Sequence, residues 1–352
     1  MKLVAIVLSS SILVACGGGG GGSTTATPVG GGGGGSTTTT PVASTGGTSP
    51  ATPTAVLNSS NQTVAAQDAA STAFMPMLGA QTLTGAQTTD ESVLFSIARE
   101  QMAKLPTYMA DAKANSALTG AVQSPTTACP SGGTLTVSVN DADNNGVLSA
   151  GDSMTLVSNS CVLSSGTVTG SLGFVIDNLS GTLGSSNYSA GITLTFGSFS
   201  VSSSLFSGSI NGSLSLAATA NGVNSLSETI STPSLTVAGT YGGVTRSRSL
   251  TNYSATASRV PTANAYQTSY SINATLTSTG LSSQAISVAT TTPFVRQSTD
   301  VYPSSGVMLL TDSSSAKLKL TALSNTQVKE ELDANGDGLY ESNTTVNWTS
   351  LM

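Results

Sequence analysis

The sequence predicts a mainly β protein: a large antiparallel meander, built as a curled sheet, a sandwich or an open barrel, with a short helical segment ahead of it. Three observations carry this expectation. Charged residues make up only 8% of the 352 residues and apolar ones 38%, so the balance is largely Ser, Thr, Gly, Ala and Asn. Thr and Val suit pleated strands, and Gly, Asn and Ser suit turns, whereas a soluble helical protein draws on Lys, Glu, Arg and Leu. Short alternating apolar runs then recur through the second half of the chain, divided by turn clusters.

In chain order, residues 1–15 read as an export signal. Met1-Lys2 is a positive start, and Leu3–Val14 is an apolar stretch interrupted only by Ser9–Ser11. It is too short to span a bilayer as a permanent helix. It ends Leu13-Val14-Ala15-Cys16. That stretch resembles the lipobox of bacterial lipoproteins. The resemblance implies that Cys16 receives a diacylglycerol and becomes the mature N-terminus, and more than one acyl chain makes an anchor stable. Gly17 rather than Asp follows, which by the same resemblance implies the outer membrane. Residues 16–55 read as a disordered tether. Gly17–Val29 (GGGGGGSTTATPV) and Gly30–Val42 (GGGGGGSTTTTPV) are a near repeat with nothing to bury. About 40 such residues span roughly 35 Å on average and reach roughly 130 Å when stretched.

Residues 56–125 are richer in Ala, Gln and Met and read as the helical segment. Thr63–Phe74 is one candidate helix and Asp90–Leu105 the clearer one. Thr89 or Asp90 can cap the latter, and Val93, Leu94, Ile97, Gln101, Met102 and Leu105 recur at helical spacing. Pro106 ends it or starts the next turn.

Residues 126–352 read as the β domain. Its first unit is a hairpin, Thr134–Val139 and Ser153–Val157, bracketed by Cys129 and Cys161. With Cys16 assigned to the anchor, two cysteines remain in an exported chain, and they most simply pair. Closing that loop stabilises by roughly 3–4 kcal/mol in the chain-entropy model. Further runs follow: Val168, Leu172, Phe174 and Ile176; Ile192, Leu194 and Phe196; Phe199 and Val201; Ile210, Leu214 and Leu216; Leu235 and Val237. Tyr270, Ile272, Ala274 and Leu276 come next, then Ile286 and Val288, Val307–Leu310, Lys317–Leu320 and Gln327–Glu331. The opposite face is Ser and Thr, and at 5% aromatics the girdles of a membrane barrel are lacking.

The hairpin loop carries the best candidate site. Asp141, Asp143 and Asn145 occupy positions 1, 3 and 5 of an EF-hand-like loop, and Gly146 sits at the sharp turn. Val147 offers a carbonyl, Ser149 a water-mediated contact, and Asp152 closes at position 12, where Asp replaces the usual bidentate Glu. Asp333, Asn335, Asp337, Gly338 and Glu341 form a second, shorter loop. Both are expected to bind calcium weakly. The alternative is a pair of turns held by Asx hydrogen bonds alone.

The final stretch adds Tyr302-Pro303-Ser304-Ser305-Gly306, two hairpin strands, the Gly336-Asp337-Gly338 loop and a late Trp348. Together with the lipobox and the Cys129–Cys161 unit, this resembles uncharacterised proteobacterial lipoproteins, a group that implies no activity.

The chain has no histidine, which removes His-based triads, general bases and metal ligands. One Ser-x-x-Lys match, Ser314 to Lys317, lacks its companion motifs. No catalysis is expected. Without Lys2 the balance is 10 basic against 17 acidic residues, or −7, which argues against nucleic acid as partner. The expected function is that of an outer-membrane-anchored lipoprotein, on the periplasmic or outer surface, held to the membrane by its acyl chains. It would act as a structural or binding module of the envelope for a protein, glycan or lipid. The alternative is a carrier that holds a lipid or other apolar ligand in a curved sheet.

Overall fold

The computed structural model describes residues 57–74, 90–115, 124–163, 166–203, 206–241, 244–263 and 265–351. The chain divides into two units, Met1–Ala51 and Thr52–Met352, and the described residues belong to the second. The expected signal, Cys16 and the tether lie outside them.

Fourteen strands are described. They are β1 (Thr126–Ala128), β2 (Thr134–Asn140), β3 (Ser153–Leu163), β4 (Gly166–Gly181), β5 (Asn187–Ser202), β6 (Phe206–Asn221) and β7 (Leu226–Tyr241). They continue as β8 (Val244–Pro261), β9 (Tyr266–Ser278), β10 (Ala285–Gln297), β11 (Ser305–Thr311), β12 (Lys317–Ala322), β13 (Gln327–Asp333) and β14 (Ser342–Asn347). All lie in one antiparallel sheet, and each pairs with the next in the chain. The sheet is open, with β1 and β14 as its edges. Both edges are short and polar, which blunts strand-to-strand aggregation.

One face of the sheet is the core. Val168, Leu172, Phe174 and Ile176 of β4 and Tyr270, Ile272, Ala274 and Leu276 of β9 are all buried on it, as their alternation predicts. Leu216 of β6 is only half-buried. Three helices pack there: α1 (Gln62–Phe74) against β9 and β12, α2 (Asp90–Ala103) against β6 and β7, and α3 (Leu105–Asn115) against β2. The expected single helix over Asp90–Leu105 is broken at Lys104, whose N–H donates back to Gln101 O at 3.0 Å. Buried Leu105 opens α3, and Pro106 falls in its first turn, where a missing N–H is harmless. Leu94 and Ile97 are buried and Gln101 and Met102 half-buried. The side chain of Val93 lies outside the described residues. Phe95, off the predicted stripe, is buried too and meets Phe196 edge-on at 6.0 Å.

Polar side chains fix α1 to the far half of the sheet. Asp68, fully buried, accepts from Arg248 Nε at 2.6 Å. Gln62 donates to Glu330 at 2.9 Å, and the Leu57 N–H donates to Asp312 at 3.0 Å. Asp312 also accepts from the N–H groups of Ser314 and Ala316, which ties the β11–β12 turn to the start of the helical segment.

Bulges explain why alternation alone misdivides the strands. Ile192–Phe196 and Phe199–Val201 read as two runs but belong to β5. Ser198, at φ +47°, inserts an extra residue against β6, so Phe196 and Phe199 both point inward. Ser160 in β3 and Asn252 in β8 do the same at φ +48° and +51°. The neighbouring strand must make room for the displaced carbonyl. A Cβ on Gly170 would lie 2.3 Å from Ser198 O, and one on Gly133 would lie 1.9 Å from Ser160 O. Gly170 also sits at φ +103°, where other residues are strained. Gly170→Ala should therefore lower stability by about 2–3 kcal/mol, read as a lower denaturant midpoint at unchanged slope.

Candidate functional site

The Cys129–Cys161 pair forms as expected, with Cα atoms 5.4 Å apart. It closes the open end of the β2–β3 hairpin, and the acidic loop lies at the other end. There β2 stops at Asn140 and β3 starts at Ser153, and the twelve-residue Asp141–Asp152 segment folds back on its own carboxylates.

Asp141 accepts from the N–H groups of Asn145 at 3.2 Å and Gly146 at 2.6 Å. Asp143 accepts from Asn145 N–H at 3.2 Å and from Ser149 Oγ at 3.1 Å. Asn145 Oδ1 in turn accepts from Val147 N–H. Asp152 is fully buried and accepts from Ala142 N–H at 2.9 Å and Ser149 N–H at 2.7 Å. Desolvation is the largest single influence on the Asp143 carboxylate and pushes its pKa up, but the hydrogen bonds it accepts from Asn145 N–H and Ser149 Oγ together hold it below the ordinary value. The fold thus brings one oxygen each from Asp141, Asp143 and Asp152 within 4.8 Å of one another, a group that could hold a metal ion. Asn145, Val147 and Ser149 lie in the same loop, and the Val147 side chain is exposed.

The second loop repeats the scaffold. Asp333, also fully buried, accepts from Gly336 at 2.7 Å and Gly338 at 3.0 Å. Asn335 Oδ1 accepts from Asp337 N–H, and Asp337 from Leu339 N–H. Glu341 accepts from Ala334 N–H at 2.9 Å. Both loops share three contacts: the first carboxylate takes the glycine N–H five residues on, and positions three and five each take the N–H two residues on. Asp333, Asp337 and Glu341 bring an oxygen each within 4.8 Å, so this group too could hold a metal ion. In an antiparallel meander, the turns after β2 and β13 fall at opposite ends of the sheet, and they also lie beside opposite edges.

Two lysines lie at these loops: Lys113, which no sequence pattern marks, and Lys317, which the sequence marks only through the Ser-x-x-Lys match and the start of a strand. Lys113 of α3 donates to Asn145 O at 2.6 Å, and Lys317 Nζ lies 3.9 Å from Asp333 Oδ2. Lys113 is 32 positions from Asn145, so no local pattern links them. Ser314 donates its hydroxyl to Asp312 at 2.8 Å, as part of a turn. Trp348 is buried, its Nε1 donates to Ser324 O at 3.2 Å, and its ring stacks on Tyr302 at 6.2 Å.

A further group consists of polar residues on inward positions, where sequence patterning expects apolar ones. Arg259 of β8 and Arg296 of β10 both stand directly opposite Thr268 of β9, and all three are buried. Glu228 of β7 belongs to the adjoining row, opposite Ala218 and Ala257. Arg259 lies 4.4 Å over the ring of Tyr266. Parity was a usable signal here: Glu228 is in phase with Ile230, Arg259 with Ala257, and Arg296 with Phe294.

No family model, no curated protein and no solved structure matches the chain.

Burial pushes the Glu228 carboxyl up from 4.5 to about 7, against the pull of the Arg259 guanidinium. The folded state therefore holds this proton where the unfolded state has lost it. Its contribution to stability is full below pH 4.5 and is lost as pH rises through about 7. The unfolding free energy of wild type minus that of Glu228→Gln should fall by roughly 3 kcal/mol between about pH 4 and pH 8. Denaturant melts across that range check it, and a flat difference would mean that the carboxyl titrates as in water.

Proposed function

We propose that the chain is a lipoprotein of the bacterial outer membrane, anchored through Cys16, whose β domain serves as a structural or binding module of the cell envelope. Leu13-Val14-Ala15-Cys16 and the Gly/Ser/Thr tether supply the anchor and the reach. The Cys129–Cys161 disulfide fits an oxidising compartment. The contact of Tyr302 with Trp348 gives two residues of the lipoprotein-like C-terminal motif a common packing role.

The observation that carries the module reading is that the sheet's own helices occupy its apolar face. Leu57, Ala65, Ala66, Ala69, Leu94 and Leu105 are buried in one core with the strands. A carrier would leave that face to its cargo. A module filled in this way presents its Ser/Thr face and its loops to a protein, glycan or lipid of the envelope, and needs no catalytic group. Cys16→Ser should abolish incorporation of labelled palmitate and release the protein from the membrane fraction. Incorporation that survives the change would sink the anchor. Protease shaving of intact cells then separates a periplasmic from a surface location.

Calcium is the ion the two loops suit. Oxygens within 4.8 Å of one another can all touch one ion at roughly 2.3–2.6 Å. The donors are hard oxygens, with no His or Cys among them. Asn145 Oδ1, the Val147 carbonyl and Ser149 would complete the first site, and Asn335 the second. Binding should be weak, because Asp152 already accepts from Ala142 and Ser149, and Lys113 competes for the loop. Calcium at 100 times its dissociation constant would stabilise by about 2.7 kcal/mol. Melts in calcium and in EDTA should therefore differ, and Asp141→Ala with Asp143→Ala should shrink the difference. Coincident wild-type melts at millimolar calcium would leave both loops as turns held by Asx hydrogen bonds.

A further inference from the structure

We propose that the inward rows of β7–β10 form a binding site for a small oxyanion, a carboxylate or phosphate group held between the guanidinium groups of Arg259 and Arg296. The site is distinct from the acidic loops and independent of the envelope reading.

The argument starts from donors without acceptors. Arg296 is 2% exposed, and its Nη1 donates to the Asp300 carbonyl at 2.9 Å. Its Nε and Nη2 are buried with no hydrogen-bond partner. Arg259 is 9% exposed, its Nε is likewise unpartnered, and so is the hydroxyl of Thr268 between them. Buried guanidinium N–H groups are ordinarily matched by carboxylates, carbonyls or phosphates, because leaving them bare forfeits their hydration for nothing. Register puts these groups together: Arg259 and Arg296 flank Thr268 on adjacent strands and the same face. Two strand spacings separate the arginine backbones by roughly 10 Å, which two long side chains can close around one small anion.

Charge points the same way. Two guanidinium groups face the carboxylates of Glu228 and, beside Arg296, Asp300, so the charges balance only when both carboxyls are ionised. Burial pushes Glu228 toward its neutral form, which leaves the cluster with excess positive charge. The immediate inward neighbours of Glu228 are short, Ala218 and Ala257, and the same row continues into the buried rings of Tyr270 and Phe294, so the space left by short side chains lies on the Glu228 side. The cluster also lies near the strand ends: Arg296 is one residue from the end of β10, and Arg259 two from the end of β8. An anion can therefore enter from the turns without parting the sheet. A planar or tetrahedral group with two or more oxygens can accept from both Arg forks and from Thr268 at once.

The test is calorimetry and thermal melting of the full chain with inorganic phosphate and, separately, with acetate. Saturable binding of either, with a rise in melting temperature, is expected, and which one binds more tightly identifies the group. Arg296→Gln should abolish it. Because a buried change can unfold the chain, two milder variants accompany it. Arg296→Lys keeps the charge but loses the fork and should weaken binding about tenfold. Glu228→Gln removes the internal competitor and should tighten binding by about tenfold, an effect a purely structural cluster would not show. If neither wild type nor Glu228→Gln gives a saturable signal with phosphate or acetate in the tens of millimolar, or if Arg296→Lys binds as wild type does, the proposal is overturned.

Discussion

An open sheet of fourteen strands has one face that must leave water, and the rest of this structure follows from how that face is covered. Closing into a barrel would remove the problem, but here β1 and β14 remain edges. The chain instead lays its own helical segment on the sheet. That solution requires strands long enough to carry helices and bent enough to follow them. Bulges at Ser160, Ser198 and Asn252 provide bends, and each also resets which side chains point inward. The glycines opposite the first two are the spatial counterpart of those bends, since only a missing side chain lets the displaced carbonyls approach.

Much of this was legible from residue types. Alternation identified the inward residues of β4 and β9, and cysteine counting identified the pair that closes the first hairpin. The acidic loops were found by spacing, and the fold gathers their carboxylates as that spacing requires. What escaped has physical reasons. A bulge breaks the period of two, so β5 read as two strands. Phe95 escaped because the helix that carries it meets the sheet over a wider arc than the stripe suggested. Glu228, Arg259 and Arg296 escape notice because charged residues are rare on inward positions, although their phase places them there. Lys113 reaches Asn145 through tertiary folding, which no local window records.

The two acidic loops and the disulfide divide the work of holding the sheet's margins. Cys129–Cys161 closes one end of the hairpin beside edge β1, and the Asp141–Asp152 loop closes the other. The Asp333 loop sits between β13 and the opposite edge, β14. Edge strands pair on one side only and are the first to fray. Fully buried Asp152 and Asp333 pin the loops from below, so each margin is organised by a carboxylate that cannot leave without exposing its own hydrogen bonds.

Strand order that equals chain order also has a consequence for how the molecule comes to be. Each strand needs only its predecessor, so hairpins can add one after another as the polypeptide emerges, and little long-range search is required. Helix α1 is the exception. Its segment is made before any strand, yet Leu57 waits for Asp312, 255 positions later, and Gln62 for Glu330, 268 positions later. The first of the described helices is thus seated by some of the latest residues. A chain halted before β11 would carry most of its sheet and could already pair Asp68 with Arg248 of β8, while lacking the Asp312 and Glu330 partners that fasten Leu57 and Gln62. The start of the helical segment is thereby tied down only once the chain has been made through β13.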